Sequence, residues 1–327
     1  MSDSSGMRSD DDRRIDAGSG SGPGTLPFAA VRGVSGESPP LFEVRGLTRR
    51  YLGLTALADF SYSVGRGEIV GLIGPNGSGK STNVDLVSGF QTADGGEWSL
   101  DGVALTGLAA HQIARAGLIR SFQNVRAYDE LSLVENLCVA SQSGDGVGWI
   151  GALLASVRLH AVERDATSRA HELLALVGLA EHAAAPALAL SYGQRKLLAI
   201  AAAMMTRPKL LILDEPVAGV NPTMIRRIEQ AIRTVNGQGV AVLLIEHNVD
   251  FVMKLCRRVV VLEAGRKIAE GPPAQIRRDP RVLAAYLGAA YAGTMPGESS
   301  SAAVRVAARA PARAPQGTPS GTTSGTN

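Results

Sequence analysis

The stretch GPNGSGKST, Gly74 to Thr82, ends in a lysine and two hydroxyls and fits the spacing G-x-x-x-x-G-K-[ST]. Gly74, Gly77 and Gly79 let backbone N–H groups close around an anion, with Pro75, Asn76 and Ser78 filling the loop between them. Lys80 supplies a point charge for β- and γ-phosphates, Ser81 a hydroxyl for Mg2+, and Thr82 a hydroxyl within reach of a phosphate oxygen. This is chemistry for holding β- and γ-phosphates together with Mg2+.

A second stretch, LLILDEP, runs from Leu210 to Pro216 and ends four apolar residues in two carboxylates. Such a pair at the C-terminal edge of a strand lies where α/β folds bind ligands. Asp214 is placed to hold Mg2+ through water, and Glu215 to orient or deprotonate an attacking water. A third run, VAVLLI, ends in EHNVD, so His247 also stands just past a strand end, where an imidazole can contact a γ-phosphate and the water. A lone histidine there is usually structural; its place beside the other two stretches reverses that expectation. Gln123, in SFQN, offers an amide for Mg2+ or water. Tyr51, in RRYLGL, presents a ring for adenine, with edge-strand packing as the alternative.

These groups need a sheet to place them, and the apolar pattern supplies one. Ile69–Ile73, Leu210–Leu213, Val240–Ile245 and Val259–Leu262 are apolar throughout, the mark of parallel strands covered on both faces. Shorter β-rich pieces, Leu41–Leu47, Ala58–Val64 and Glu97–Leu100, predict an antiparallel sheet. Between about 120 and 205 the pattern is mostly helical, most clearly over Ala161 to Leu179, and reads as a helical subdomain inserted between the first and second parallel strands. Residues 1–40 are rich in Ser, Gly, Asp and Pro, and the chain from 291 returns to small and polar residues; both tails are expected to be disordered around a folded part at 41–290.

Composition sets the class. The 327 residues are 45% apolar but only 4% aromatic, so the core rests on aliphatic packing. A net charge of +3 gives no case for nucleic acid. Cys138 and Cys256 lack metal-ligand spacing and are expected to be buried, free thiols. No apolar run approaches the roughly 18 residues of a membrane span, and MSDSSGMRSDDDRR has no signal-peptide core.

One stretch resists a purely structural reading. In LSYGQRK, Ser191 and Gln194 spell a helix capping box. Gly193, in the first turn, costs about 1 kcal/mol relative to alanine.

Together these motifs resemble the ATP-binding cassette (ABC) ATPases. Gly74–Ser81 is similar to the Walker A loop, Leu210–Glu215 to Walker B with its catalytic glutamate, and Gln123, AGVN (Ala218–Asn221) and His247 to the Q-, D- and H-loops. Ser191, Gly193 and Gln194 match the signature motif, whose usual form LSGGQ has a glycine where Tyr192 stands. Asn83 and Asp85 also depart, standing where apolar residues are common. A narrower resemblance, carried by His111–Leu137, the YGQ form and VLAAYLG at Val282–Gly288, is to the ATP-binding subunits of branched-chain amino acid importers.

The resemblance implies a P-loop NTPase fold: a RecA-like parallel core, an antiparallel β subdomain and an inserted α-helical subdomain. It implies an ATP hydrolase that pairs head to tail with a second cassette, in a homodimer or with a paralogous ATPase. Each ATP would lie between the P-loop of one and the signature helix of the other, where a bare Gly193 backbone lets the helix approach the γ-phosphate. Partners would be transmembrane permease subunits, docking around Gln123 and Asn124–Tyr128, and indirectly a periplasmic solute-binding protein. The chain would then sit on the cytoplasmic face of the inner membrane, held there through the permease. Rival readings are a urea or short-amide importer ATPase, a lipopolysaccharide export ATPase, a soluble ABC protein of translation or repair, and a non-catalytic scaffold. The His111–Leu137 segment, the single cassette, and the presence of Glu215 and His247 count against the last three in turn.

Overall fold

The computed structural model describes residues 39–121, 127–141 and 156–287. Both tails, and Gln123 with its neighbours 122–126, lie outside the described residues. The chain runs β1 (Phe42–Tyr51), β2 (Leu54–Val64), β3 (Ile69–Ile73), α1 (Lys80–Val87), β4 (Gly95–Leu100), β5 (Val103–Ala104), α2 (Ala110–Ala116) and β6 (Leu118–Ser121). It continues through α3 (Leu133–Ser141), α4 (Ser156–Leu176), α5 (Tyr192–Met205), β7 (Leu210–Asp214), α6 (Pro222–Gly237) and β8 (Ala241–Ile245). It closes with α7 (Val249–Leu255), β9 (Arg258–Glu263), β10 (Arg266–Gly271), α8 (Pro273–Ile276) and α9 (Pro280–Leu287).

Two sheets result. One is antiparallel, in the order β2-β1-β4-β5. The other has the order β10-β9-β3-β8-β7-β6, parallel from β9 to β6, with β10 antiparallel at one edge. The continuous apolar runs have a direct cause, because successive strand residues face opposite sides. In β7, Leu211 and Leu213 pack into a cluster with the helices α3 to α7, while Leu210 and Ile212 pack into one with α1, α2 and the antiparallel sheet. β3, β8 and β9 divide in the same way, so the run between the ends of each strand has no polar face to offer.

The sequence reading anticipates four of the five parallel strands. It omits β6, which straddles the start of the block read as helical. Its residues LIRS are short and half polar because β6 is the sheet edge, with only Leu118 fully buried. β10, RKIAEG, is charged for the same reason at the other edge. α4 stops at Leu176 rather than at Leu179, where the Leu179 N–H turns back to the Leu174 carbonyl at 2.7 Å. The two irregular positions on α1 also find partners. Asn83 is buried and donates to the Tyr62 hydroxyl at 3.0 Å, and Asp85 accepts from Arg120 at 2.6 Å.

Both cysteines are free thiols. Cys256 is buried, and burial pushes its thiol up to about 12. Cys138 is half-buried rather than buried, on α3.

Candidate functional site

β3, β8 and β7 are parallel neighbours, and their ends are in register. Ile245 pairs with Leu72 on one side and with Asp214 on the other. The three chemical stretches therefore leave the sheet at one level of its C-terminal edge: Gly74–Thr82 after β3, Glu215 after β7, His247 after β8.

The loop is folded around its own lysine. Lys80 is buried, and its Nζ donates to Gly74 O at 2.7 Å, to Pro75 O at 3.0 Å and to Ser78 Oγ at 3.4 Å. Burial lowers the Lys80 pKa, while the carboxylates of Glu215 and Asp214 oppose that. Gly79 stands before the first residue of α1 with φ +107, and a Cβ there would lie 2.5 Å from Ala56 O. Only glycine meets both demands. Ser81 is exposed and Thr82 half-buried, on the first turn of α1.

The acidic pair is split in environment. Asp214 is buried and accepts from Arg120 at 3.0 Å. Burial pushes its pKa above the usual carboxylate range, against the pull of Arg120. Glu215 is half-buried and has φ +49, a left-handed backbone that non-glycine residues rarely adopt and that stores about 1–3 kcal/mol. Its N–H donates to Ile245 O at 2.9 Å, so β8 holds the turn that presents the carboxylate. His247 is exposed, with Nδ1 3.7 Å from Glu215 Oε1 and 3.9 Å from Glu246 Oε2.

Glu246 is fully buried. It accepts the N–H groups of Val217 at 2.9 Å, His247 at 3.2 Å and Asn248 at 3.3 Å, and so ties the turn after β7 to the turn after β8. Burial raises its pKa, against those backbone donors.

The helix α5 starts as the capping box predicts. Gln194 N–H donates to Ser191 Oγ at 3.4 Å, and Ser191 N–H to Gln194 Oε1 at 2.9 Å. Gly193 has a packing reason to be glycine. It is buried, and a Cβ would lie 2.3 Å from Met224 Cγ, on the first turn of α6. Lys196, also buried, donates to the Glu215 carbonyl at 3.1 Å, so this helix braces the strained turn within its own chain. Tyr51 closes β1; its hydroxyl donates to Gln91 Oε1, and Arg49 lies 4.7 Å from the ring centroid.

A family model described as ABC transporter matches residues 57–218, and one described as branched-chain amino acid ATP-binding cassette transporter matches residues 266–292. The high-affinity branched-chain amino acid transport ATP-binding protein BraF of Pseudomonas aeruginosa is 42% identical over 254 residues, 77% of this chain and 100% of that protein. The chain belongs to the ABC transporter ATP-binding family. LivG of Escherichia coli K12, which carries the same description as BraF, is 40% identical over 254 residues with the same coverage. Among solved structures, an ATP-binding cassette of an ABC transporter in its ADP conformation aligns with TM-score 0.67 at 28% identity, over 77% of this chain and all of that one. A nucleotide-free cassette aligns with TM-score 0.67 at 29% identity, over 76% of this chain and all of that one.

The cassette fold binds nucleotide, and the donors present suit Mg2+ as well. That ion takes hard oxygens at one or two protein positions and keeps water and phosphate for the rest. Asp214, a buried carboxylate whose charge the fold disfavours, and the Ser81 hydroxyl are such donors. Sequence reasoning passes over Arg120, Gln91, Lys196 and Glu246 in this cassette. Glu246 alone had a local signal, as an acid at a buried strand end beside His247.

Proposed function

We propose that this chain is the ATP-hydrolysing subunit of an importer for branched-chain amino acids, a single cassette at about 41–290. The observation that carries the reading is the meeting of Lys80, Asp214, Glu215 and His247 at one edge of the parallel sheet. The descriptions of BraF and LivG support the choice of solute.

In this reading, the amides of Gly74–Gly79 bind phosphate oxygens, and Lys80 exchanges the carbonyls of Gly74 and Pro75 for them. Glu215 Oε1 accepts the proton of the attacking water, with His247 beside it and the braced turn fixing its aim. Asp214 and Ser81 would hold Mg2+, with Gln123 completing the set, and the ion would supply charge stabilisation to the phosphates. Tyr51 stacks on adenine. Ser191, Gly193 and Gln194 face the γ-phosphate of a second cassette in a head-to-tail pair. Among the described residues no helix is long and apolar enough to cross a membrane. The descriptions of BraF and LivG as transport ATP-binding proteins support a pore made by separate permease subunits. Tyr128 and Leu188 support a docking face for them. Both are exposed apolar side chains, and Leu188 N–H donates to Asp129 O, next to Tyr128. The location that follows is peripheral, on the cytoplasmic face of the inner membrane, with a solute-binding protein on the far side.

The Glu215→Gln variant is expected to keep ATP binding, to lose turnover by about 100-fold or more, and to accumulate as a closed dimer on size-exclusion chromatography. Substantial remaining turnover would remove Glu215 from its role. Uptake of leucine, isoleucine or valine into vesicles carrying the permease must need ATP and must stop with Lys80→Ala.

A further inference from the structure

Arg120 sits on the edge strand β6, opposite Ile212 of β7, and its guanidinium runs along the sheet toward the strand's end. One nitrogen donates to Asp214 Oδ2 at 3.0 Å and another to Asp85 Oδ1 at 2.6 Å. The other oxygen of Asp85 accepts Gln91 Nε2 at 3.0 Å, and Gln91 Oε1 accepts the Tyr51 hydroxyl. Phe90 covers the guanidinium, 5.7 Å from its ring centroid. Backbone bonds fix the geometry on the α1 side, since Phe90 and Gln91 both donate their N–H to Asp85 O, at 2.9 and 3.2 Å. A continuous set of hydrogen bonds thus runs from the carboxylate at the end of β7 to the tyrosine at the end of β1.

We propose that Arg120, steadied by Asp85, is the positioning residue that orients the Asp214 carboxylate for the metal, and that Gln91 extends this unit to Tyr51, joining the metal end of the nucleotide site to its base end. The inference rests on the roles given above to Asp214 and Tyr51. A planar fork is needed because it serves two carboxylates at fixed angles, which a lysine ammonium cannot do. Asp85, half-buried on the helix that follows the phosphate loop, is the acid that meets Arg120 from that side.

The test uses the full chain and reads metal binding apart from turnover. Mn2+ affinity is measured by electron paramagnetic resonance with a non-hydrolysable ATP analogue present, and analogue affinity is measured separately in EDTA. Arg120→Lys is expected to weaken Mn2+ binding about tenfold and to raise the Mg2+ needed for half-maximal hydrolysis to match, with analogue affinity in EDTA unchanged. Asp85→Asn should give the same pattern more weakly. Wild-type Mn2+ affinity in both variants would overturn the clamp, as would an equal loss of binding in EDTA, which marks general damage to the site. The link to the base is read from Tyr51→Phe, Gln91→Leu and the double variant. Each single change should raise the KM for ATP severalfold, and the double no more than either; additive effects, or none, would overturn the connection. Asp214→Asn is the separate check on the parent reading. If that variant keeps wild-type Mn2+ affinity, the role of Asp214 fails, whatever Arg120 does.

Discussion

Two arginines each bridge two carboxylates, at opposite ends of the same parallel sheet. At the N-terminal end Arg258 takes Glu68 with two nitrogens, at 3.0 and 2.7 Å, and also bonds Glu270 and, at 2.9 Å, the Ser63 carbonyl. At the C-terminal end Arg120 divides its fork, giving one bond to Asp85 and one to Asp214. The acids respond in opposite directions. Burial works to raise Glu68, but Arg258 and the Gly65 N–H at 2.7 Å outweigh it and hold the pKa below the usual range. Burial raises Asp214 too, and there the single bond from Arg120 does not outweigh it. Asp214 receives fewer donors and also faces the carboxylates of Glu215 and Asp85, which raise its pKa further, so donor number and like charge together decide the outcome. One acid is satisfied by its own fold and serves the structure. The other keeps a charge that its surroundings disfavour, which suits a carboxylate that gains its full partner only when a cation arrives.

The largest expected effect tests that difference in function. Asp214→Asn should lower ATP turnover by about 100-fold or more, since a metal's charge stabilisation is worth several kcal/mol. Glu68→Gln should leave turnover per folded molecule at the wild-type level. A comparable loss in both variants, measured on protein shown to be folded by circular dichroism, would break the comparison.

Stability should reverse the ranking. Arg258→Met removes the partner of two carboxylates and of the Ser63 carbonyl, and hydrogen bonds to charged groups are worth roughly 1.5–3 kcal/mol net. A loss of about 3 kcal/mol, read as a Tm lower by about 6–12 °C for a domain of this size, is expected. Its ATPase activity well below that Tm should stay near wild type. Unchanged thermal stability would mean that the N-terminal cluster is solvated rather than structural.

The two clusters also show what a sequence conceals. The phosphate loop, the acid pair and the buried strands were legible because each is a contiguous run whose spacing carries its meaning: GPNGSGKST, LLILDEP, VAVLLI. β6 was not, because an edge strand buries little and LIRS lacks an apolar run. The bonds around the site were hidden for another reason. Arg120 reaches Asp85 across 35 residues and Asp214 across 94, and Glu246 reaches Val217 across 29. Such pairs exist only once the sheet order has placed β6 beside β7 and β7 beside β8. Gly193 shows the subtler case. The sequence offered approach to a phosphate as the reason for a bare backbone, and the structure adds close packing on Met224, a residue 31 positions away by number.

The smallest expected effect is the most specific to the comparison, because only its sign matters. A depressed acid such as Glu68 contributes stability that is present above its unfolded pKa, about 4.3 for a glutamate, and is lost as pH falls through its lower folded value. A raised acid such as Asp214 does the reverse. Its charge costs nothing below the unfolded value, about 3.9 for an aspartate, and the cost grows as pH rises through the higher folded value. Without nucleotide or metal, at pH 7, Glu68→Gln should therefore be less stable than wild type and Asp214→Asn more stable, each by something of order 1 kcal/mol. Urea unfolding followed down to pH 3.5 should show both differences shrinking toward zero from opposite sides. Two differences of the same sign at pH 7 would mean that the divided fork of Arg120 satisfies Asp214 as fully as the bidentate grip of Arg258 satisfies Glu68, and that the site acid is not held ready for a cation.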